Sequence, residues 1–559
     1  MYDIAVMLVV FPICHWGRNI HKGRWIGWGG LVMAAGSFVC SLPHFIVQPY
    51  DPSKVAVGNM SDFGHRKAEE ATCSSTTPSA LSAYINPYFL LFLLGQALHG
   101  AGSTPLFSIG TAYIDENVSQ NASPFYLAIH GIMTALGPAF GLFVGGFLLD
   151  YYVDVDRVNA PPIGQKDPRW LGAWWIGFLI SGVAALAASV PVLGFARELP
   201  EAKEHRIKDV NQAHAVSQNV AEEIERDGGN MNSIKATARI IFGIVRNPTF
   251  LIICVIGIPE AVIVNGFSAF MPKIIETVLN VSPTNASFMC SVVIFAAATG
   301  LLLGGSIMKF MKLQVPGMFK MLIVLNIGAV LFLATFLVQC PPRTFMGITV
   351  NYDGQAEPSL NATCNGDCAC TDEWNPVCDD VTNTMYFSAC YAGCKTRIGD
   401  ESKGNLKWTD CSCLGSEKRI LRSGHCSTNC GGNVYIFMML LYFLVTLTFA
   451  GAIPMQQLLL RIVPFDQRTL AIGVNWTLLK LFGFIPGGII FGWIIDKSCI
   501  NWATKCGVET SCHLYNPTRL SQLMLALSVV CKLAVILASI LGLMTYTPTE
   551  MDDVASMAT

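Results

Sequence analysis

Several ionisable side chains lie inside long apolar stretches of the sequence, and these residues have the clearest capacity for chemistry. Lys480 lies in WTLLKLFGFIPGG, His44 in SLPHF and His99 in ALHGAGSTP. Such groups are costly in hydrocarbon, so they usually face a cavity or a partner. An ammonium attracts anions, and an imidazole gains charge near neutral pH. We therefore take Lys480, His44 and His99 as candidate anion-binding residues.

Each of these three residues also has a purely structural interpretation. Lys480 is equally suited to a permanent ion pair with a fixed acid such as Glu260. His44, near one end of its apolar stretch, is either a sensor of external acidity or a hydrogen-bonded packing residue. His99 precedes a Gly- and Pro-containing stretch, and loosened helix at membrane depth is tolerated where it lines a cavity. The sequence leaves these alternatives open.

Motifs that would indicate an enzyme are missing from the sequence. We find no Walker A sequence, no HExxH, no GxSxG and no GxGxxG after a strand. Neither an enzyme nor an ATP-driven pump is therefore expected, and no cofactor or metal ion is predicted. The net charge of −2 gives no reason to expect a nucleic-acid partner.

The composition indicates a protein that crosses a lipid bilayer many times. Only 13% of the 559 residues are charged, the mean hydropathy is +0.48, and about 20 apolar residues span a bilayer. We predict eleven membrane spans. Their approximate limits are 2–15, 26–47, 85–106, 125–149, 170–196, 249–276, 287–308, 317–339, 433–457, 468–495 and 520–545.

A polar segment, residues 197–248, separates five predicted spans from six. We therefore divide the chain into two helix bundles with a cytosolic linker, a cysteine-rich loop and a cytosolic tail. The divisions are 1–196 for the first bundle, 197–248 for the linker, 249–339 and 433–545 for the second bundle, 340–432 for the loop, and 546–559 for the tail.

Cysteines are concentrated between the eighth and ninth predicted spans, just after Cys340. They are Cys364, Cys368, Cys370, Cys378, Cys390, Cys394, Cys411, Cys413, Cys426 and Cys430. This density predicts a disulfide framework in an oxidising compartment. A zinc site is disfavoured because the loop lacks a CxxC pair. The loop is therefore expected outside the cell, and the alternation of spans makes Asn59, Asn280, Asn285 and Asn361 candidate glycosylation sites.

Three tryptophans open the fifth predicted span, in DPRWLGAWWIGFL, residues 167–179. Indole rings favour the headgroup region of a bilayer. We expect Trp170, Trp174 and Trp175 to mark the membrane edge, with Asp167 and Arg169 in or near water. A buried tryptophan cluster is the alternative.

The same stretch resembles the signature of the organic anion transporting polypeptide family, D-x-R-W-hydrophobic-G-A-W-W-x-G-F-L. The matching residues are Asp167, Arg169, Trp170, Gly172, Ala173, Trp174 and Trp175. The stretch CNGDCACTDEWNPVCDDVTNTMYFSACYAGCKTR resembles the family's Kazal-type extracellular module. The resemblance extends from GRNIHKGRW in the first inner loop to FGWIIDKSCINW near the last span.

This resemblance implies an all-α, multi-pass membrane protein with a major-facilitator-type helix bundle and a small disulfide-rich Kazal-like module. It implies sodium-independent exchange of amphipathic organic anions, with bicarbonate or another anion as counter-ion, at the plasma membrane. Typical substrates are steroid conjugates, bile salts, prostanoids and thyroid hormones. The family has twelve helices, so its first helix is expected to be missing here.

At three positions the resemblance bears on the candidate residues. The pH-linked histidine of the family matches His44, and two of its arginines match Lys480 and His99. A lysine keeps the charge but loses the planar, bidentate grip of an arginine on a carboxylate or sulfate. Two other functions remain alternatives: a truncated, non-transporting or regulatory chain, and a membrane-anchored Kazal-type binding protein.

Overall fold

The computed structural model describes thirteen stretches of the chain. They are residues 1–17, 21–51, 87–158, 170–208, 212–213, 234–281, 283–368, 370, 374–398, 407–415, 419–426, 430–505 and 508–547. Asp167, Arg169 and Asn59 lie outside the described residues, as do Cys73 and Cys506.

Five helices form the first half of the bundle. They are α1 (Tyr2–Gly17), α2 (Lys22–Ile46), α3 (Pro87–Asn117), α4 (Ser123–Leu149) and α5 (Trp174–Leu193). Each run is apolar and long, which is the pattern that spans a bilayer when no water is available to the backbone. Of these, α2, α4 and α5 have the length and hydropathy of a membrane span. α1 has 16 residues, and α3 ends on the acidic pair Asp115 and Glu116.

The second half contains eight helices in the described residues. They are α8 (Pro248–Leu279), α9 (Pro283–Met311), α10 (Val315–Phe332), α11 (Asn433–Ala450), α12 (Ala452–Arg461), α13 (Arg468–Leu479), α14 (Ile485–Lys497) and α15 (Pro517–Thr545). α11 and α12 together make one apolar span, as do α13 and α14. Within the described residues, nine spans satisfy the length and hydropathy of a membrane crossing, against the eleven predicted.

A turn of π-helix, Lys480–Phe484, joins α13 to α14. Pro486 follows immediately and has no N–H to donate to the preceding turn. The extra residue in the π turn is a common way to accommodate such a break. The break places Lys480 at the point where the regular helix is interrupted.

The linker is more ordered than its polar composition predicts. It contains α6 (Ala202–Lys208) and α7 (Ile234–Arg246), and α7 buries Ile240 and Ile244 completely. Apolar residues four positions apart lie on one face of a helix, so α7 packs as an amphipathic helix. Residues 234–246 of the predicted linker therefore form an amphipathic helix that packs on the bundle.

A small sheet module follows α10. Its strands are β1 (Thr344–Phe345), β2 (Val377–Asp379), β3 (Thr384–Tyr386), β4 (Cys394–Ile398), β5 (Lys407–Cys411) and β6 (Leu421–Ser423), in the order β1-β3-β2-β6-β5-β4. A two-stranded hairpin, β7 (Cys499–Lys505) and β8 (Val508–Tyr515), lies before α15. The ring of Trp374 stacks on His513, 4.9 Å between centroids, so the module and the hairpin are in contact. We call this end of the bundle the module end and the other the far end.

Disulfides hold the module together, as the cysteine spacing predicts. The pairs are Cys340–Cys430, Cys364–Cys413, Cys370–Cys390, Cys378–Cys426 and Cys394–Cys411, and a sixth, Cys499–Cys512, closes the hairpin. The prediction is wrong for Cys368, which has a free thiol. Cys430 pairs with Cys340, before the predicted cluster, and this leaves an odd number of cysteines in the cluster.

Candidate functional site

The two halves meet along a polar and aromatic seam that contains Lys480. Its Nζ lies 2.7 Å from Oδ1 of Asp3, on α1 of the other half. The ammonium also lies 3.9 Å from the ring centroid of Phe484 and 5.5 Å from that of Trp476. The side chain of Lys480 is 8% exposed and that of Asp3 31%. The ion pair is therefore accessible to a competing anion on the side of Asp3.

Glu260 is not the acid that pairs with Lys480. Its carboxylate accepts hydrogen bonds from Nζ of Lys532 at 2.7 and 2.9 Å, and Lys532 also donates to Oδ1 of Asn326 at 3.1 Å. Lys532 is almost fully buried, so this pair fixes a charge that would otherwise be unpaired in an apolar interior. The ion-pair alternative for Lys480 is observed, but with Asp3 as the acid.

Glu260 and Asn326 line a cavity of 260 Å³ inside the second half. Trp476, Phe484 and Phe449 contribute aromatic faces to its wall. Most of the remaining lining is apolar, and Lys532 balances the charge of Glu260. Since Trp476 and Phe484 also contact the ammonium of Lys480, the cavity adjoins the ion pair. The arrangement provides a neutral, aromatic pocket beside a cation.

His99 packs inside the first half. Its Nε2 lies 2.9 Å from Oγ of Ser37 on α2, so the ring bridges α2 and α3. Gly36 allows this approach, because a Cβ there would lie 3.0 Å from the ring. His99 does not line the cavity beside Lys480. The structure thus separates two of the three candidate residues.

His44 lies at the module end of α2, between two carboxylates. Its Nε2 is 3.1 Å from Oδ1 of Asp156, and its Nδ1 is 3.8 Å from Oδ1 of Asp154. Asp154 is buried and accepts a hydrogen bond from the backbone N–H of Tyr50 at 2.7 Å. The two ring nitrogens therefore face different acids. Sequence reasoning did not find these acids, because they lie more than 100 positions from His44 and no local pattern connects them.

Trp175 forms one wall of the His44 site. The two rings stack with centroids 4.1 Å apart and an interplanar angle of 8°. The indole N–H donates to the carbonyl of Val153 at 2.8 Å, and the residue is 7% exposed. An indole with a buried acceptor does not need the headgroup region. The membrane-edge interpretation is thus wrong for Trp175, and the buried-cluster alternative is correct.

The rest of the signature shapes this cluster. Gly172 forms a β-bridge with Tyr152, and the N–H of Ala173 donates to the carbonyl of Tyr151 at 2.9 Å. A Cβ on Gly172 would lie 2.6 Å from Cα of Leu149, so only glycine fits. These contacts hold residues 170–173 out of the helix, which begins at Trp174 rather than at Trp170. Trp170 and Trp174 are partly exposed.

At the far end, Asp115 joins the two halves. Its carboxylate lies 3.1 Å from Nη2 of Arg461 and 2.8 Å from Nη1 of Arg468, and it accepts a hydrogen bond from Ser123. Gln457 also donates to Ser123 at 2.8 Å. Asp115 is 2% exposed. Sequence reasoning missed this buried network because its charged residues lie at the edges of the predicted spans.

The helices of the two halves separate toward the module end. Near the far end, a Cβ on Gly305 of α9 would lie 2.6 Å from Ala128 of α4, whereas Gly137, Gly141 and Gly145 of α4 have no neighbour within 4 Å of such a Cβ. Glycines four residues apart allow helices to approach closely, but here the contact lies nearer the far end than these three glycines. The far end of this seam is therefore closed, and its module end is open.

The predicted glycosylation residues lie in different surroundings. Asn285 and Asn361 are exposed. Asn280 ends α8 in the left-handed conformation with φ of 52°, and its amide donates to the carbonyl of Pro341 at 2.8 Å. Asn285 and Asn361 are therefore the more accessible acceptors among the described residues.

Comparison with known proteins identifies the family. A sequence model of the Organic Anion Transporter Polypeptide (OATP) family matches residues 1–520. Solute carrier organic anion transporter family member 4A1 of Mus musculus is 33% identical over 535 residues, which are 94% of this chain and 72% of that protein. Member 4C1 of Homo sapiens is 31% identical over 562 residues, which are 98% of this chain and 75% of that protein.

A solved structure of a major facilitator superfamily transporter is also similar to this chain. It is the proton:xylose symporter XylE bound to 6-bromo-6-deoxy-D-glucose. The match covers 95% of this chain and 83% of that chain, with 13% sequence identity and a TM-score of 0.49. The fold prediction of an all-α, major-facilitator-type bundle with a small disulfide-rich module is confirmed by the family match and by the helices and disulfides. The relatives are solute carriers, not enzymes. The chain belongs to the organic anion transporter polypeptide family of membrane transporters.

Proposed function

We propose that this chain exchanges amphipathic organic anions across the plasma membrane, without sodium, by alternating access. Steroid conjugates, bile salts, prostanoids and thyroid hormones are the substrate class, and bicarbonate or another intracellular anion is the counter-ion. In this proposal the module end is extracellular and the C-terminus is cytosolic. The observation that carries it is the Lys480–Asp3 pair between the halves, beside an aromatic cavity.

Lys480 is proposed as the residue that attracts the anion. An incoming carboxylate or sulfate competes with Asp3 for the ammonium, because both offer the same kind of oxygen acceptor. Asp3 belongs to the first half and Lys480 to the second. Replacing Asp3 by substrate would therefore loosen a contact between the halves. This links anion binding to their relative movement.

The 260 Å³ cavity is proposed to hold the apolar body of the substrate. Its volume suits part of a steroid-sized ligand, and its walls carry the aromatic and aliphatic groups typical of small-molecule pockets. Glu260 would repel an anion if it were unpaired. Since Lys532 neutralises it at 2.7 Å, the pocket accepts the uncharged part of an amphipath. The charged head then remains near Lys480.

The closed far end supports a state that is open toward the module. Asp115 bonds to both Arg461 and Arg468 across the seam. Opening the far end would separate buried opposite charges, which is costly unless other partners replace them. In an exchange cycle, the energy of substrate binding would offset this cost. The Asp115 network is therefore proposed as the inner gate.

His44 and His99 receive different proposed roles. His44, between Asp154 and Asp156, gains favourable interactions with both acids when it is protonated. It is proposed to couple transport to external acidity through the segment 150–158 and the start of α5. His99 bonds to Ser37 inside the first half. It is proposed to act on the anion site only through the packing of α2 on α3.

Uptake of labelled estrone sulfate into cells that express the chain tests this function. We expect saturable uptake at external pH 6 and 7.4, lost in Lys480→Ala and retained in Lys480→Arg, which keeps the charge. Surface biotinylation normalises each variant for delivery. Uptake that survives Lys480→Ala removes Lys480 as the anion site. No uptake by the unaltered chain at normal surface levels, across the four substrate classes, contradicts the transporter function and favours a non-transporting chain.

A further inference from the structure

A second cavity, of 390 Å³, lies at the module end and is separate from the seam between the halves. It lies where the end of α8, the start of the module, the β7–β8 hairpin and the first turn of α15 come together. The residues that line it include Asn280, Arg343, Thr349, Tyr515 and Thr518. None of them lines the cavity beside Lys480. Its volume is within the range of small-molecule sites.

Arg343 brings a cation with an unused donor into this cavity. Its Nη2 donates to the carbonyl of Asn280 at 2.5 Å, at the C-terminal end of α8. Its Nε is fully buried and has no hydrogen-bond partner among the described residues. A buried N–H without an acceptor is costly, and more so on a charged group. Arg343 lines the cavity, so its guanidinium borders this volume.

Arg343 and Lys273 are the cations near this cavity, and Glu276 and Asp496 are the nearby acids. Nζ of Lys273 lies 3.4 Å from the carboxylate of Glu276. Glu276 also interacts electrostatically with Arg343, so the two cations share this carboxylate. Burial, followed by the charges of Arg343 and Lys273, lowers the pKa of His425 to about 4. His425 is therefore neutral at physiological pH and adds no further positive charge. Asp496, the other nearby acid, interacts electrostatically with Tyr515, which lines the cavity.

The first turn of α15 adds a weaker contribution of the same sign. Pro517 and Thr518 begin this 29-residue helix and line the cavity. The N-terminal end of a helix presents a partial positive charge and unpaired N–H groups. Pro517 has no N–H, the carboxamide of Asn516 accepts the N–H of Arg519, and the Asn516 carbonyl accepts that of Leu520, so the N–H of Thr518 remains for a ligand. Arg343 and the N-terminal end of α15 therefore both contribute positive electrostatic potential to this cavity.

We infer that this cavity is a second anion site, which binds an oxyanion of the sulfate or carboxylate type through Arg343 and the first turn of α15. The oxyanion comes either from free inorganic anion or from the head of an organic anion. A guanidinium offers parallel N–H donors that match two oxygens of such a group. The site lies apart from the Lys480 seam, so its occupancy does not depend on the transport function.

Equilibrium binding of radiolabelled inorganic sulfate to the purified full chain in lipid nanodiscs tests this site. The measurement is made in the Lys480→Ala background at constant ionic strength, so that the seam does not contribute. We expect saturable binding that becomes about tenfold weaker or more in Arg343→Gln, because a charge-assisted hydrogen bond is lost. Binding that rises only linearly with sulfate, or that is unchanged by Arg343→Gln, overturns the inference.

A second pair of variants tests the proposed anion site even if Arg343→Gln does not fold. Thr518→Asp places a carboxylate in the first helical turn, where it favours the helix but repels sulfate. Thr518→Asn has nearly the same shape without the charge. We expect sulfate binding to be lost in Thr518→Asp and kept in Thr518→Asn, and equal binding by both overturns the inference. Displacement of sulfate by estrone sulfate would identify the head of an organic anion as ligand, and resistance to displacement would identify a free inorganic anion.

Discussion

Nζ of Lys480 lies 2.7 Å from Oδ1 of Asp3, and the two residues belong to opposite halves of the bundle. The ammonium is thus already satisfied before any substrate arrives. An anion that binds to Lys480 must first displace Asp3. Removing the acid should therefore make the cation easier to reach, whereas removing the cation should eliminate the site.

Asp3→Asn is expected to lower the KM for estrone sulfate by about tenfold or more, the range for one charged hydrogen bond that no longer competes. Asp3→Glu, which keeps the charge, is the matched control and should stay near the original KM. Concentration-dependent uptake at fixed surface level measures both. A KM that rises in Asp3→Asn would contradict competition between Asp3 and substrate.

Asp115→Asn is expected to destabilise the closed far end by about 3–5 kcal/mol, because two buried arginines lose their shared carboxylate. The readout is thiol labelling of Gly131→Cys, since Gly131 faces Leu301 in the seam. Labelling from the cytosolic side should accelerate in Asp115→Asn. Glu116→Gln is the control, because Glu116 pairs with Lys22 within the first half. Equal acceleration in both variants would argue against a gate.

His44→Gln is expected to bring the ratio of uptake at pH 6 to uptake at pH 7.4 close to one. A neutral amide does not titrate, so it removes the response to acidity that is proposed for His44 beside Asp154 and Asp156. His513→Gln, on the hairpin, serves as the control and should keep the ratio of the unaltered chain. If His44→Gln leaves an unequal ratio unchanged, another group carries the pH response.

The stability of the module should fall as the pH is lowered. The pKa of His425 is about 4 in the folded protein, below the ordinary value of 6.5, owing to burial and then to Arg343 and Lys273. The unfolded module therefore binds more protons between pH 6.5 and 4, and stability decreases as the pH falls through that window. Hydrogen exchange of module peptides should show faster opening at pH 5 than at 7.4. His425→Gln, compared at each pH, should reduce this difference.

Cys368 should react with a membrane-impermeant maleimide at the cell surface. It has a free thiol and is partly exposed, whereas the cysteines around it are in disulfides. Cys368→Ser should remove most of the labelling. Labelling only after permeabilisation would place the module on the cytosolic side and reverse the proposed orientation.

The local features of the chain could be predicted from its sequence, because each depends on neighbouring residues. An apolar run of about 20 residues has few alternatives to a membrane helix, and α8 to α15 lie close to the predicted limits. Clustered cysteines likewise indicated the disulfide module. The signature around Trp174 and Trp175 indicated the family, although it did not reveal that Trp175 is buried on His44.

The sequence by itself determined that the chain crosses a membrane, carries a disulfide module and belongs to its family. Only the tertiary structure decided which charges pair. In the folded protein Lys480 pairs with Asp3, Glu260 pairs with Lys532, and His44 lies between Asp154 and Asp156. It also joined Cys430 to Cys340, which left Cys368 unpaired. The physical reason is that such pairs form between helices or loops far apart in the chain, and no local period specifies which of them become neighbours.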